Sequence, residues 1–133
     1  MIKLLIADDS ALMRKLLEGI FSEQGDFEIR LARNGTEALE LVRSFDPQVV
    51  TLDVQMPGMD GLTATRLIRQ LGERHRDIPI IAMTANVLSE EIELCIQAGM
   101  DDHIGKPFVW NDLLAKMDKL SRRRMTVTNA TSP

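Results

Sequence analysis

The sequence has few of the features that mark secreted, membrane-spanning or nucleic-acid-binding proteins. It contains one cysteine, so no disulfide can form within the chain, which is typical of a reducing cytoplasm. No apolar run approaches the roughly 20 residues that a membrane-spanning helix needs, and the short apolar start runs straight into acids, unlike a signal peptide. The net charge of −4 argues against non-specific nucleic-acid binding, which needs a cationic surface. We therefore expect a cytoplasmic protein that contacts neither a membrane nor nucleic acid directly.

The length and composition indicate one globular domain. A chain of 133 residues, 44% hydrophobic and 27% charged, can bury a core of ordinary size. Cys95 lies between two apolar residues in a helical pattern, which favours a packed core thiol over a reactive nucleophile. We place the domain at residues 1–121. We expect residues 122–133, which are basic and then rich in threonine, to form a disordered tail because they have nothing to bury.

Short apolar runs alternate with stretches of helical periodicity along the domain. The runs predicted as strands occupy residues 4–7, 27–31, 49–52, 78–83 and 103–104. The predicted helices carry apolar residues at helical spacing within 13–21, 38–42, 62–71, 88–96 and 109–120. Apolar strands that alternate with helices indicate βαβ units, and hence a parallel sheet covered by helices on both faces.

The pattern also predicts which polar residues between these elements face water. The third helix is expected to expose its Thr65, Arg66 and Arg69 side. Residues 72–77 form a polar connection, and we expect His75 within it to be solvated.

Charged and hydroxyl residues stand where the predicted strands end. Asp8 and Asp9 follow the first strand, and Asp53 follows the third. Thr84 ends the fourth strand, and the fifth runs into Lys106. In a parallel sheet these ends lie along one edge, where open α/β sheets bind ligands. Capping and turn formation are the structural alternative for the acids, but chance explains poorly so many suitable groups at successive strand ends.

The chemistry that suits this set of groups is phosphoryl transfer. Three converging carboxylates repel one another, and a hard divalent cation such as Mg²⁺ relieves that repulsion. A carboxylate can act as nucleophile and form an aspartyl phosphate, for which Asp53 on the central strand is the best candidate. Asp8 and Asp9 are the better metal ligands because they come as a pair from one loop. Thr84 can donate a hydrogen bond to a phosphoryl oxygen, and Lys106 supplies a point charge that binds phosphate.

Four segments, in this order, resemble the receiver domain of two-component response regulators. They are IADDS at residues 6–10, TLDVQMPGMDG at 51–61, IIAMTA at 80–85 and GKPF at 105–108. The resemblance implies a flavodoxin-like α/β fold, a doubly wound five-stranded parallel sheet of order 2-1-3-4-5 with five helices. It also implies a phosphorylated switch rather than a turnover enzyme, with a sensor histidine kinase or a phosphotransfer protein as the phosphoryl donor.

The resemblance further implies which groups bind the metal ion. Asp53 would accept the phosphoryl group. Asp53 and Asp9 would bind Mg²⁺ directly, together with the backbone carbonyl of Gln55, and Asp8 would reach the ion through water.

The resemblance also implies a switch that signals phosphorylation. Lys106, before a cis Pro107, would contact the phosphoryl group, and Thr84 would be the switch hydroxyl, whose inward movement vacates space beneath Ala85 for a neighbouring ring. The family most often carries tyrosine or phenylalanine as that ring, whereas this chain has His103. A planar ring in a similar role is the simpler interpretation, and an imidazole that titrates near neutral pH is the alternative. An output protein or fused output domain would bind the face formed by the fourth helix, fifth strand and fifth helix.

Two other functions use the same groups. A pseudo-receiver would bind partners without being phosphorylated. A phosphatase of the haloacid dehalogenase type also forms an aspartyl phosphate, but it needs a second acid two residues after the nucleophile, where this chain has Gln55. The phosphorylated receiver is therefore the leading hypothesis.

Overall fold

The computed structural model describes residues 1–131, except for the side chains of residue 73 and of residues 121–131. These residues form five strands and six helices. The strands are β1 (Ile2–Ala7), β2 (Phe27–Ala32), β3 (Val49–Asp53), β4 (Ile80–Thr84) and β5 (Asp102–Gly105). The helices are α1 (Ala11–Gln24), α2 (Gly35–Phe45), α3 (Gly61–Arg69), α4 (Glu73–Arg76), α5 (Ser89–Ala98) and α6 (Trp110–Thr131).

The strands form one parallel sheet of order β2-β1-β3-β4-β5. This order confirms the predicted flavodoxin-like arrangement, with β3 at the centre and β2 at one edge. Every residue of β3 and β4 is buried, as expected for strands that are covered on both faces.

Alternate residues of the strands pack in two hydrophobic layers, one on each face of the sheet. On one face, Leu5, Val50 and Ile80 pack in a layer to which α2, α3 and α5 contribute. On the other face, Leu4 and Ile81 pack with side chains of α1 and α6. Cys95 is buried in the first layer, which agrees with the predicted core thiol. None of the helices that the structure describes is long and apolar enough to cross a membrane.

Three helices begin with a side-chain cap at the edge of the sheet where the strands end. Ser10 accepts a hydrogen bond from the backbone of Met13, Asn34 from that of Glu37, and Asp60 from that of Thr63. Such caps satisfy backbone donors that the first helical turn leaves without partners. They fix the loops that follow β1, β2 and β3.

The structure differs from the sequence prediction between α3 and β4. The described part of the chain contains six helices rather than five, because residues 73–76 within the predicted polar connection form the one-turn helix α4. The predicted fourth and fifth helices are therefore α5 and α6. His75 in α4 is not solvated, because its side chain is only 12% exposed and its Nδ1 lies 3.6 Å from a carboxylate oxygen of Asp46. Arg74 donates to the other oxygen of Asp46 at 2.6 Å, which attaches α4 to the end of α2.

The predicted exposed side of α3 is also partly wrong. Thr65 is fully buried, which is possible because its hydroxyl donates to the backbone carbonyl of Gly61 at 2.8 Å. Arg69 donates to the backbone carbonyls of Gly99 and Ile78, and to the carboxylate of Asp101. The arginine therefore joins the end of α3 to the loops before β4 and β5.

The C-terminal boundary of the domain stays a prediction. The backbone of α6 continues to Thr131, through most of the segment 122–133 for which the sequence predicts a disordered tail. The side chains of residues 121–131 and the whole of residues 132–133 lie outside the described part of the chain.

Candidate functional site

The register of the sheet brings the strand ends together at one edge. Ala7 pairs with Leu52, so that Asp8 follows β1 beside the last residue of β3, which is Asp53. In the neighbouring pair, Thr84 at the end of β4 is in register with Gly105 at the end of β5. The residues predicted from the sequence as a site therefore lie along one line of adjacent strand ends.

Asp8 is held at each of its polar groups. Its backbone N–H donates to the carbonyl of Ala32 at 3.1 Å, and its carbonyl accepts from Nη1 of Arg14 at 2.7 Å. One carboxylate oxygen accepts from the backbone of Ser10 at 2.9 Å, and the other from Nζ of Lys106 at 3.0 Å. The carboxylate is only 1% exposed, so these contacts replace water and fix its position.

Asp53 is buried beside the same lysine. It is 5% exposed, and one carboxylate oxygen lies 3.5 Å from Nζ of Lys106. The other oxygen accepts from the backbone N–H of Gln55 at 3.2 Å. The start of α3 packs against the backbone here, because a Cβ on Gly61 would overlap the carbonyl oxygen of Asp53. Glycine at this position therefore lets the helix approach the loop that carries the carboxylate.

Three acids converge in a geometry that fits a divalent cation. Asp8, Asp9 and Asp53 each offer a carboxylate oxygen, and these oxygens all lie within 4.8 Å of one another. Burial raises the pKa of Asp53 to about 7, and the charge of Asp8 adds to this effect, while Lys106 opposes it. One lysine thus leaves the negative charge of the cluster incompletely balanced. A hard ion with oxygen ligands suits this donor set.

Thr84 points its hydroxyl into its own loop. The hydroxyl donates to the backbone carbonyl of Asn86 and accepts from the backbone N–H of the same residue, both at 3.0 Å. The backbone carbonyl of Thr84 accepts from the N–H of Lys106 at 2.7 Å, which joins the ends of β4 and β5. Ala85 is exposed at the start of this loop, and His103 is partly exposed on β5, in register with Ala82.

A family model described as the response regulator receiver domain matches residues 4–118. The chain belongs to this family. The match covers β2 to β5, most of β1, the first five helices and the start of α6, and it agrees with the resemblance of the four sequence segments. Receiver domains of response regulators are signalling modules of two-component systems, so this class of protein is confirmed.

The receiver domain is similar to parts of longer proteins and to isolated domains. It is 57% identical over 107 residues to a protein-glutamate methylesterase/protein-glutamine glutaminase of Rhodopseudomonas palustris, covering 80% of this chain and 29% of the relative. It is 39% identical over 122 residues to the response regulator MprA of Mycolicibacterium vanbaalenii, covering 92% of this chain and 51% of the relative. This chain therefore spans about half the length of these curated relatives or less.

A solved structure has the same fold. It is the receiver domain of the sensor histidine kinase PA1611 from Pseudomonas aeruginosa, with a magnesium ion coordinated in the active site cleft. Its TM-score is 0.82 at 31% sequence identity, and the match covers 90% of this chain and 96% of that one.

The receiver domain brings together most of the residues predicted from its sequence. Oxygens of the three acids lie within 4.8 Å of one another, and Lys106 is within 3.5 Å of Asp8 and Asp53. The peptide bond before Pro107 is cis, as the resemblance implies. Two contributors were missed. Arg14 holds the backbone of Asp8, and Asn86 holds the hydroxyl of Thr84. Arg14 carries no signal in the sequence, because a polar residue in a first helical turn is usually solvated. Asn86 carries none because its contact is made by backbone atoms.

Proposed function

We propose that this receiver domain accepts a phosphoryl group on Asp53 from a phosphohistidine, in a reaction that depends on Mg²⁺, and that phosphorylation changes partner binding. The donor is a sensor histidine kinase or a phosphotransfer protein. The observation that carries the proposal is the position of the Asp53 carboxylate, at the end of the central strand, 3.5 Å from Nζ of Lys106 and beside two further acids.

The transfer moves one phosphoryl group between two nucleophiles. A carboxylate oxygen of Asp53 forms a bond to phosphorus while the phosphorus–nitrogen bond of the donor breaks, and the imidazole of the donor leaves. The attacking carboxylate must be ionised. The ammonium group of Lys106 favours that form and can then hold an oxygen of the transferred phosphoryl group.

The three acids Asp8, Asp9 and Asp53 would form the binding site for the metal ion. Asp9 and Asp53 would bind Mg²⁺ directly with the backbone carbonyl of Gln55, and Asp8 would contact it through water. The ion would neutralise charge on the carboxylates and on the phosphoryl oxygens. Four hydrogen bonds fix the position of Asp8 in this cluster. The magnesium ion in the active site cleft of the related domain from P. aeruginosa supports the choice of metal.

Phosphorylation would change a surface next to the site to which an output partner binds. Thr84 would donate its hydroxyl proton to a phosphoryl oxygen, which it cannot do while that proton is used by Asn86. The loop after β4 would therefore rearrange, with Ala85 and His103 as the neighbouring switch residues. We propose that an output protein or fused output domain binds the face of α5, β5 and α6. Leu88 at the start of α5 is 64% exposed there.

The proposal is tested with a small phosphoryl donor. Phosphoramidate contains the phosphorus–nitrogen bond of phosphohistidine, so incubation with phosphoramidate and Mg²⁺ should add one phosphoryl group to the intact mass of the protein. The addition should disappear with EDTA or with Asp53→Asn. It should persist with Asp26→Asn, an exposed acid before β2 at the opposite edge of the sheet. Phosphorylation of Asp53→Asn at the wild-type rate would reject Asp53 as the acceptor.

A further inference from the structure

The loop between β4 and α5 is fixed by local contacts in a conformation that withholds the hydroxyl of Thr84. The hydroxyl makes two bonds to the backbone of Asn86. The side chain of Asn86 in turn accepts from the backbone N–H of Leu88 at 3.1 Å, just before α5 begins. These bonds lie within five residues of one another, so they alone do not attach the loop to the rest of the domain.

One side chain joins this loop to the neighbouring strand. Val87 lies over Gly105, the last residue of β5 and the residue before Lys106. A Cβ on Gly105 would come within 2.5 Å of Cγ1 of Val87, so the valine methyl group fills the space that any side chain at position 105 would need. Val87 is 54% exposed even so. The contact is therefore made at the solvent-exposed edge of the sheet.

We infer that Val87 and Gly105 are positioning residues that hold the β4–α5 loop in its resting conformation and so set the affinity of the site for a phosphoryl group. This inference rests on the proposed function. While the methyl group packs on Gly105, Asn86 stays within bonding distance of Thr84, and the hydroxyl proton is used within the loop. Release of the contact raises the fraction of molecules in which Thr84 can donate to a phosphoryl oxygen, and the apparent affinity rises with that fraction.

The geometry predicts that each single substitution raises the affinity for a phosphoryl group and that the double substitution restores it towards the wild-type value. Gly105→Ala introduces a methyl group where Cγ1 of Val87 lies. The restricted rotamers of valine favour relief of this overlap by movement of the loop, and we expect apparent affinity to rise about tenfold. Val87→Ala removes the packed methyl groups without adding an atom, and should raise it about threefold. In the double variant the two Cβ atoms would be 3.8 Å apart, an ordinary contact, so the loop should return and the affinity should fall towards the wild-type value.

Beryllofluoride with Mg²⁺ is the probe, because it imitates a phosphoryl group on an aspartate without turnover. Its affinity is measured by titration of the full chain, and the amide shift of Asn86 in NMR spectra reports whether the bond to Thr84 persists. Val109→Ala is the matched control, since Val109 is 63% exposed and lies outside the loop. It should leave both readouts unchanged.

The outcomes separate this inference from the proposed function. Tighter binding in Gly105→Ala, reversed in the double variant, supports the contact, because a residue that only stabilises the fold would not increase affinity when altered. Unchanged affinity in Gly105→Ala and Val87→Ala overturns the inference, as does a double variant that binds as tightly as Gly105→Ala. If Gly105→Ala does not fold, Val87→Ala decides the question alone. A wild-type protein that binds no beryllofluoride with Mg²⁺ would instead reject the proposed function.

Discussion

Replacing Asp53 by asparagine should stabilise the metal-free domain near pH 8 and change its stability little near pH 4. The pKa of Asp53 is raised from 3.8 to about 7 in the folded protein, mainly by burial. Between these values the folded state binds more protons than the unfolded state, so the free energy of unfolding falls as the pH rises. Above pH 7 the full cost of the buried charge remains, and below pH 4 it disappears.

The magnitude follows from the size of the pKa change. At about 1.4 kcal/mol per unit, a change from 3.8 to about 7 corresponds to an upper limit of about 4 kcal/mol at pH 8. Asparagine keeps the shape of the side chain and removes the charge, while Lys106 keeps its ion pair with Asp8 at 3.0 Å. We expect Asp53→Asn to gain roughly 2–4 kcal/mol at pH 8, which is about 1 M or more in the urea midpoint.

Urea unfolding in EDTA measures this effect. The difference between wild type and Asp53→Asn is compared at the two pH values, because titrating groups that do not interact with Asp53 contribute equally to both proteins. Asp26→Asn makes the same substitution at an exposed acid and should give a difference that does not depend on pH. Added Mg²⁺ should stabilise wild type more than Asp53→Asn. A stability difference that is equal at pH 4 and pH 8 would refute the account of the buried charge.

Three further predictions concern the metal ion, the fold and the signal. Asp9→Asn should weaken Mg²⁺ binding in calorimetry at least about tenfold, and Asp8→Asn should weaken it less; equal affinity in wild type and Asp9→Asn would contradict the ligand assignment. Arg69→Met should lower the free energy of unfolding by about 2–4 kcal/mol, because it leaves partly buried carbonyls without their donor. Arg66→Met, at an exposed position of the same helix, should change it little. Thr84→Ala should confine the NMR shift changes caused by beryllofluoride to the surroundings of the phosphoacceptor; shifts that still spread across α5 and α6 would rule out coupling through this hydroxyl.

The fold was predictable because its pattern is periodic. Strands buried on both faces form nearly continuous apolar runs, as in residues 80–83 of β4. Strands that alternate with helices allow few arrangements other than a doubly wound parallel sheet. The convergence of Asp8, Asp53 and Lys106 followed from the same reasoning, since parallel strands end at one edge. The strand order itself came from the resemblance to receiver domains.

The contacts between distant polar residues were not predictable. The position of Arg69 on the polar side of a helix indicates only that its charge needs water or a partner. The carbonyl of Gly99, its partner, is 30 residues away and becomes adjacent only after folding. His75 was missed for the same reason, because its neighbour Asp46 lies at the end of another helix. The periodicity of a sequence indicates whether a position is polar. It does not indicate which residue becomes the hydrogen-bond or ion-pair partner of that position.

The sequence also did not predict that the hydroxyl of Thr84 is already used in a hydrogen bond within its own loop. Thr84 was correctly placed at the end of β4, but the pattern could not show that Asn86 uses its hydroxyl. Hydroxyl residues often bond to the backbone two residues away. Whether this bond or one to a ligand forms depends on the conformation of the loop, which the contact between Val87 and Gly105 fixes here.

The central claim is that Asp53 is the phosphoacceptor, and chemical identification of the modified side chain tests it most directly. The wild-type protein is phosphorylated with acetyl phosphate and Mg²⁺ and then treated with borohydride, which reduces an aspartyl phosphate to homoserine. Tandem mass spectrometry of the peptides locates the new residue. Homoserine at position 53 is the predicted result, and homoserine at position 8 or 9, or phosphate retained on a hydroxyl or histidine side chain, would contradict it.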